Sequence, residues 1–260
     1  MIPYFELPVY HVAGIPIDPW GTLVCIGFVL GLEIVRARGI KLGLDVRDVI
    51  DGIIATVGMG FVGGHLVHVL AYHPDKIQTE GWITLLKIWA GFSSFGGFIG
   101  AVVGSILFYK VIRPRPYWVH ADTIMFGFPF GWIFGRLGCF SVHDHRGRIT
   151  DFPLAVRYSD GARYDLGLME ALWAMVIAGT FLALSRSPRK PGTFAAVWCV
   201  MYAPVRFGFD FLRATDLPGA DVRWNGLTPA QWGCILMFCG GLVIFNWLRS
   251  QPRSPDPVPA

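Results

Sequence analysis

Charge is what this chain has least of. Asp, Glu, Lys and Arg together make up 15% of its 260 residues, against 53% apolar residues and a mean hydropathy of +0.50. A water-soluble globular chain of this length rarely combines such values, so the composition points to a polytopic membrane protein. Cysteine is also scarce. Cys25, Cys139, Cys199, Cys234 and Cys239 form no C-x-x-C pair and lie in or beside apolar runs, as small core residues do. The net charge of +4 is spread over membrane-flanking connections with no continuous basic stripe, so it implies little about nucleic acid and none is expected as a partner. Between the apolar runs no piece is long enough for a soluble domain. No internal repeat or pair of broken helices marks the chain as a secondary transporter.

What is present is a series of apolar runs close to the ~20 residues that cross a bilayer as helix. Seven are read: Trp20–Val35, Ile50–Tyr72, Phe92–Ile112, Thr123–Ser141, Leu166–Leu184, Thr193–Leu212 and Pro229–Leu248. The expected fold is an all-α membrane protein forming one domain over residues 1–249, with a proline-rich disordered tail over 250–260. Alternate connections carry Arg36, Arg38, Lys41 and Arg47, then Lys110, Arg113 and Arg115, then Arg186, Arg189 and Lys190, then Arg249 and Arg253. Met1–Pro19 has no Lys or Arg. Short basic loops stay in the cytoplasm, so the N-terminus is expected outside and the C-terminus inside. The start is neither basic nor followed by a small-residue cleavage site, so the first span is expected to remain in the protein. The longest connection, 142–165, reads as a short strand and hairpin at the outer surface, turning at Ser159-Asp160-Gly161.

Gly96, Gly100 and Gly104 recur every fourth residue in the third run, and Gly127, Gly131 and Gly135 in the fourth. That spacing forms a groove into which a helix backbone or a lipid chain fits. Arg136 stands near the end of the apolar stretch Phe130–Phe140. A charge there costs roughly 2.5–3.5 kcal/mol at the bilayer centre, so it faces a protein partner, a wet cavity or a lipid head group. Tyr202, Arg206 and Asp210 fall at i, i+4 and i+8 on one helical face, with Glu170 and Trp20 expected at the same depth. Each has a plain reading: an intrahelical ion pair for Arg206 and Asp210, a helix-terminal charge for Glu170, an interfacial aromatic for Trp20. Arg136 has no carboxylate one turn away on its own helix. Two arginines without equal numbers of nearby acids imply a bound anion, and at the outer leaflet that anion is most naturally a phospholipid phosphate.

The order of segments resembles the prolipoprotein diacylglyceryl transferases. The matching pieces are Trp20-Gly21, Gly63-Gly64-His65 through His73-Pro74, Leu86-Lys87-Ile88-Trp89-Ala90-Gly91, Gly96-Gly97-Phe98-Ile99-Gly100, Gly135-Arg136-Leu137-Gly138-Cys139-Phe140, and Tyr202 through Asp210 with Phe211-Leu212-Arg213. The resemblance implies transfer of the diacylglyceryl group of phosphatidylglycerol to the cysteine thiol of a prolipoprotein lipobox, with glycerol phosphate released and no metal or organic cofactor. It implies Arg136 and Arg206 at the phosphate, Tyr202, Trp20, Gly96, Gly97 and Glu170 in substrate binding, and Asp210 in catalysis. The chain departs from the family at Phe95, where a histidine is usual, at Trp20 for tyrosine, at Asp210 for glutamate, and at Ser141–His145 for the usual Asn-Gly pair. With Phe95 unable to accept a proton, His143 or His145 is the expected base. A rival reading makes Cys139, His143 and His145 a zinc site. A non-catalytic phospholipid-binding paralogue and a lipid transporter remain as alternative functions.

Overall fold

The computed structural model describes residues 1–87, 91–217 and 223–251. The protein is mostly helical. Its helices are α1 (Pro19–Lys41), α2 (Val46–Val67), α3 (Asp75–Glu80), α4 (Ser94–Leu107), α5 (Tyr117–Val142), α6 (Leu166–Leu184), α7 (Thr193–Asp210) and α8 (Pro229–Ser250), with α2 and α4 each running on through a π-turn, His68–Tyr72 and Phe108–Ile112. Five of these stretches are long and apolar enough to cross a membrane: Val46–Tyr72, Ser94–Ile112, Tyr117–Val142, Leu166–Leu184 and Pro229–Ser250. The other two apolar runs fall on α1, which carries Glu33, Arg36 and Arg38, and on α7, which carries Arg206 and Asp210. Val29 on α1 and Leu236 and Val243 on α8 lie exposed, as side chains facing lipid do. The proline-rich tail lies, from residue 252 on, outside the described residues, as do Ile88, Trp89 and Ala90 of the third matching piece.

The chain forms two compact units, each from separate segments. One comprises residues 35–124 and 222–233. Its centre is the α2–α4 pair, which meets along glycines: a Cβ on Gly63 would stand 2.6 Å from the Gly96 carbonyl oxygen, and one on Gly100 would stand 3.0 Å from the Gly63 Cα. Only hydrogen side chains allow backbones that close. Asp45 caps α2, its carboxylate accepting from the Arg47 N–H at 2.8 Å. One turn on, buried Asp48 accepts from Arg113 at 2.9 Å and from Arg115, and its carbonyl accepts from the Tyr109 hydroxyl at 3.0 Å. His65 lies within 2.9 Å of the Thr84 carbonyl and 3.2 Å of the Gly91 carbonyl, pinning the connection between α2 and α4.

The other unit comprises residues 1–34, 125–221 and 234–260. Its helices pack through an aromatic core in which Phe126, Phe181 and Phe194 meet and the Trp198 and Tyr202 rings stack 4.6 Å apart. Gly27 and Gly131 let α1 and α5 touch by backbone. The connection between α5 and α6 forms β4 (Arg146–Ile149), β5 (Val156–Tyr158) and β6 (Gly161–Asp165), and joins β1 (Ile2–Pro3) in a sheet ordered β1-β5-β6-β4. β5 and β6 are an antiparallel hairpin with Tyr158 opposite Gly161, whose φ of +128° suits glycine. A second hairpin, β2 (Tyr10–Val12) and β3 (Ile15–Ile17), precedes α1. Arg163 of β6 is held by Asp160 at 3.0 Å and by Asp216 at 2.6 Å, two carboxylates that keep its guanidinium charged well above its ordinary range.

Candidate active site

Three helices of the second-described unit bring their polar groups to one buried place. α6 begins at its cap Asp165, whose carboxylate accepts from the Leu168 N–H at 3.1 Å, and this start sets Glu170 in the second turn, 2% exposed. α5 supplies Arg136, 4% exposed, whose Nε lies 3.1 Å from Glu170 Oε2. α7 supplies Arg206, whose Nε lies 3.3 Å from Oε1 of the same carboxylate, and Tyr202, whose hydroxyl donates to Oε2 at 2.8 Å. One carboxylate thus bridges two guanidiniums. Arg206 also donates to Asp210 at 2.6 Å, one turn further along α7, and Arg213 lies 3.8 Å from the same oxygen.

Glu170 and Asp210 equal Arg136 and Arg206 in number, so the shortage of acid expected around the arginines is not found. The carboxylate missing from Arg136's own helix comes from α6, a long-range pairing that spacing on one helix does not reveal. Glu170 occupies the Nε of each fork, while Nη1 of Arg136 turns the other way, toward Cys139 Sγ at 4.0 Å and His145 Nε2 at 3.5 Å. Trp132, one turn before Arg136, stacks its ring 4.6 Å beneath the guanidinium. That contact was missed in the sequence although the i, i+4 spacing carries it.

The two histidines part company. His143, with φ of +50°, is buried among Tyr4, Phe5, Phe140 and Tyr158; its Nδ1 lies 2.9 Å from Asp165 and its Nε2 3.2 Å from the Phe5 carbonyl. Both nitrogens have partners, and the ring fastens the N-terminal segment to the start of α6. Burial raises Asp165, although His143 opposes the shift. His145 is the histidine beside Arg136. Its burial opposes the charged form, but the Asp144 carboxylate on Nδ1 and the Cys139 sulfur outweigh it and lift the imidazole to about 9. The zinc-ligand grouping changes accordingly: Cys139, Asp144 and His145 offer atoms within 4.8 Å of one another, and His143 is not among them.

Trp20 opens α1 beside α5, where a Cβ on Gly138 would stand 3.3 Å from its Cδ1. Gly96 and Gly97 belong to the α2–α4 contact, the backbone N–H of Gly96 donating to the cap Ser93 at 3.3 Å. Phe95 turns its ring onto Gly233 of α8.

A multi-pass helical protein with a desolvated arginine–carboxylate–arginine cluster is the class that fold and site define. Residues 8–247 match the family model for prolipoprotein diacylglyceryl transferase. The chain is 29% identical over 240 residues to the phosphatidylglycerol–prolipoprotein diacylglyceryl transferase of Chromohalobacter salexigens, covering 90% of this chain and 88% of the relative. It is 29% identical over 262 residues to that of Actinobacillus pleuropneumoniae, covering 97% of each. It is 34% identical over 214 residues to that of Erythrobacter litoralis, covering 77% of this chain and 74% of the relative. This chain belongs to the prolipoprotein diacylglyceryl transferase family.

Proposed function

We propose that this protein transfers the diacylglyceryl group of phosphatidylglycerol to the lipobox cysteine thiol of a prolipoprotein, forming a thioether and releasing glycerol phosphate. The observation that carries the reading is the convergence of Arg136 and Arg206 on Glu170 in a chain of this family. In the reaction the thiol gives up its proton to solvent, the thiolate's electron pair forms the new bond to the glyceryl carbon, and the carbon–oxygen bond breaks with its pair staying on the phosphate, so that one proton and glycerol phosphate leave. Charge grows on that phosphate in the transition state, where fixed donors in a desolvated site stabilise it most. Glu170 holds both forks in place while no substrate is bound and yields to the phosphate, which offers the same paired acceptor geometry. Tyr202 steadies Glu170, and Asp210 steadies Arg206 from the opposite side.

The membrane arrangement that fits this reading has seven spans, an N-terminus outside, a C-terminus in the cytoplasm and the β4–β6 sheet on the outer face, where the helix ends bearing Arg136, Glu170 and Arg206 meet the outer leaflet. Phe95 in place of the family histidine favours one second reading, an idle paralogue that binds phosphatidylglycerol without transferring it. Radiolabelled diacylglyceryl transfer to a lipobox peptide decides between them. The proposal requires a thioether-linked product from the purified protein; binding of the lipid with no product establishes the paralogue.

A further inference from the structure

We propose that the indole N–H of Trp198 donates to an ester carbonyl of the bound phospholipid, so that this tryptophan tells ester-linked chains from ether-linked ones. The inference rests on the reading of Arg136 and Arg206 as the phosphate site. Trp198 lies on α7 before Tyr202 and Arg206 at the same helical spacing, and is 1% exposed. Its Nε1 is buried and has no hydrogen-bond acceptor among the described residues. Other indoles of this chain find one: Trp173 donates to the Met201 carbonyl at 3.0 Å and Trp232 to the Trp224 carbonyl at 3.1 Å. A buried donor left without an acceptor costs more than a hydrogen bond returns, and a carbonyl brought by the lipid removes that cost.

The surroundings decide which ligand atom fits. Two columns of side chains run at helical spacing, Phe128, Trp132 and Arg136 on α5 and Trp198, Tyr202 and Arg206 on α7. They interlock: the Trp198 ring stacks on Tyr202 at 4.6 Å and stands perpendicular to Phe128 at 4.8 Å and to Trp132 at 6.4 Å. Trp132 in turn carries the Arg136 guanidinium, and the Tyr202 hydroxyl reaches the carboxylate that both arginines share. Each column thus passes from guanidinium to aromatic ring, as a phospholipid passes from phosphate to ester to acyl chain. Trp198 sits about 12 Å along the helix axis from Arg206, and the arginine side chain leans back toward it, which suits the few bonds between phosphorus and ester carbonyl. The ring contacts of Trp198 are with uncharged side chains, so the position takes a neutral acceptor and not a second anion. Phe128 and Trp132 are only partly buried, and they are the rings that move aside for the ester.

The test compares phosphatidylglycerol carrying ester-linked chains with its ether-linked counterpart of the same chain length, each titrated into the full-length protein in phosphatidylcholine nanodiscs. The parent, Trp198→Phe and Arg136→Ala are measured side by side. The parent should bind the ester lipid roughly 3- to 10-fold more tightly, the worth of one neutral hydrogen bond. Trp198→Phe, which keeps a ring but loses the N–H, should bind both lipids alike; each ratio is taken within one protein, so a general loosening of the fold cancels. Arg136→Ala should weaken both lipids together. Should Trp198→Phe fail to fold, the isotope-labelled indole N–H resonance of Trp198 in the parent reports the same bond, moving downfield with the ester lipid and not with the ether lipid. Equal binding of the two lipids by the parent, an ester preference retained by Trp198→Phe, or an indole resonance that answers both lipids alike overturns the inference and leaves the N–H to the face of the Phe128 ring or a trapped water. If Arg136→Ala loses both lipids in that case, the phosphate reading stands without it. If Arg136→Ala binds as the parent does, the phosphate is wrongly placed and the carbonyl assigned beside it falls as well.

Discussion

Replacing Glu170 by Gln separates the roles its carboxylate combines. The side chain keeps its size, but one acceptor oxygen becomes a donor and the negative charge is lost. Tyr202 and Arg136 both approach Oε2, at 2.8 and 3.1 Å, and Arg206 approaches Oε1 at 3.3 Å. With the amide oxygen kept toward Tyr202 and Arg136, its nitrogen faces the Nε of Arg206, donor against donor. Breaking a buried ion pair by removing one partner costs about 3–5 kcal/mol, and the lower end applies because Arg206 retains Asp210. The unliganded variant should therefore lose about 3 kcal/mol when unfolding is followed in detergent. Adding Arg136→Gln to Glu170→Gln should return part of that loss, since the second change removes the stranded charge. Phosphatidylglycerol should stabilise Glu170→Gln more than it stabilises the parent, because the phosphate no longer competes with a carboxylate. A variant within about 1 kcal/mol of the parent, with no extra response to lipid, would refute the desolvated bridge.

Further outcomes follow from the same geometry. A reporter fused after Ala260 should label as cytoplasmic and a tag beside Gly161 as external; the reverse pattern would put the site at the other leaflet. His143→Ala should cost about 2–3 kcal/mol of stability by leaving the Asp165 carboxylate with fewer partners, without moving the pH–rate profile; a lost acidic limb in that profile would make His143 the base. Gly63→Leu should drive α2 from α4 and leave little folded protein in detergent, whereas Gly58→Ala, with nothing within 4 Å of the added carbon, should stay within about 1 kcal/mol of the parent. Equal stability of the two would separate the glycines from the packing of these helices.

Local features of this fold were legible because they repeat at a helical or turn spacing. Gly96, Gly100 and Gly104 announced a close helix contact, Tyr202, Arg206 and Asp210 a shared face, and Ser159-Asp160-Gly161 a hairpin turn. What the sequence hid depends on pairing across long separations. Glu170 reads as a helix-terminal charge until α6 is set between α5 and α7, and only then does it answer both arginines. His143 and His145 are indistinguishable as residue types two positions apart. The left-handed backbone at His143 turns its ring into the aromatic cluster around Asp165 and leaves His145 beside Arg136. Asp144 separated the two roles as well, holding Nδ1 of the second ring and not the first.

The most direct test of the account is diacylglyceryl transfer from phosphatidylglycerol to a lipobox peptide by Arg136→Ala, Arg136→Lys, Arg206→Ala and Arg206→Lys, each checked for membrane insertion. Both Ala variants should insert and lose transfer. Both Lys variants should recover only part of it, because an ammonium lacks the planar fork that grips two phosphate oxygens. Transfer at the parental rate by either inserted Ala variant would contradict the claim that the two guanidiniums hold the phosphate.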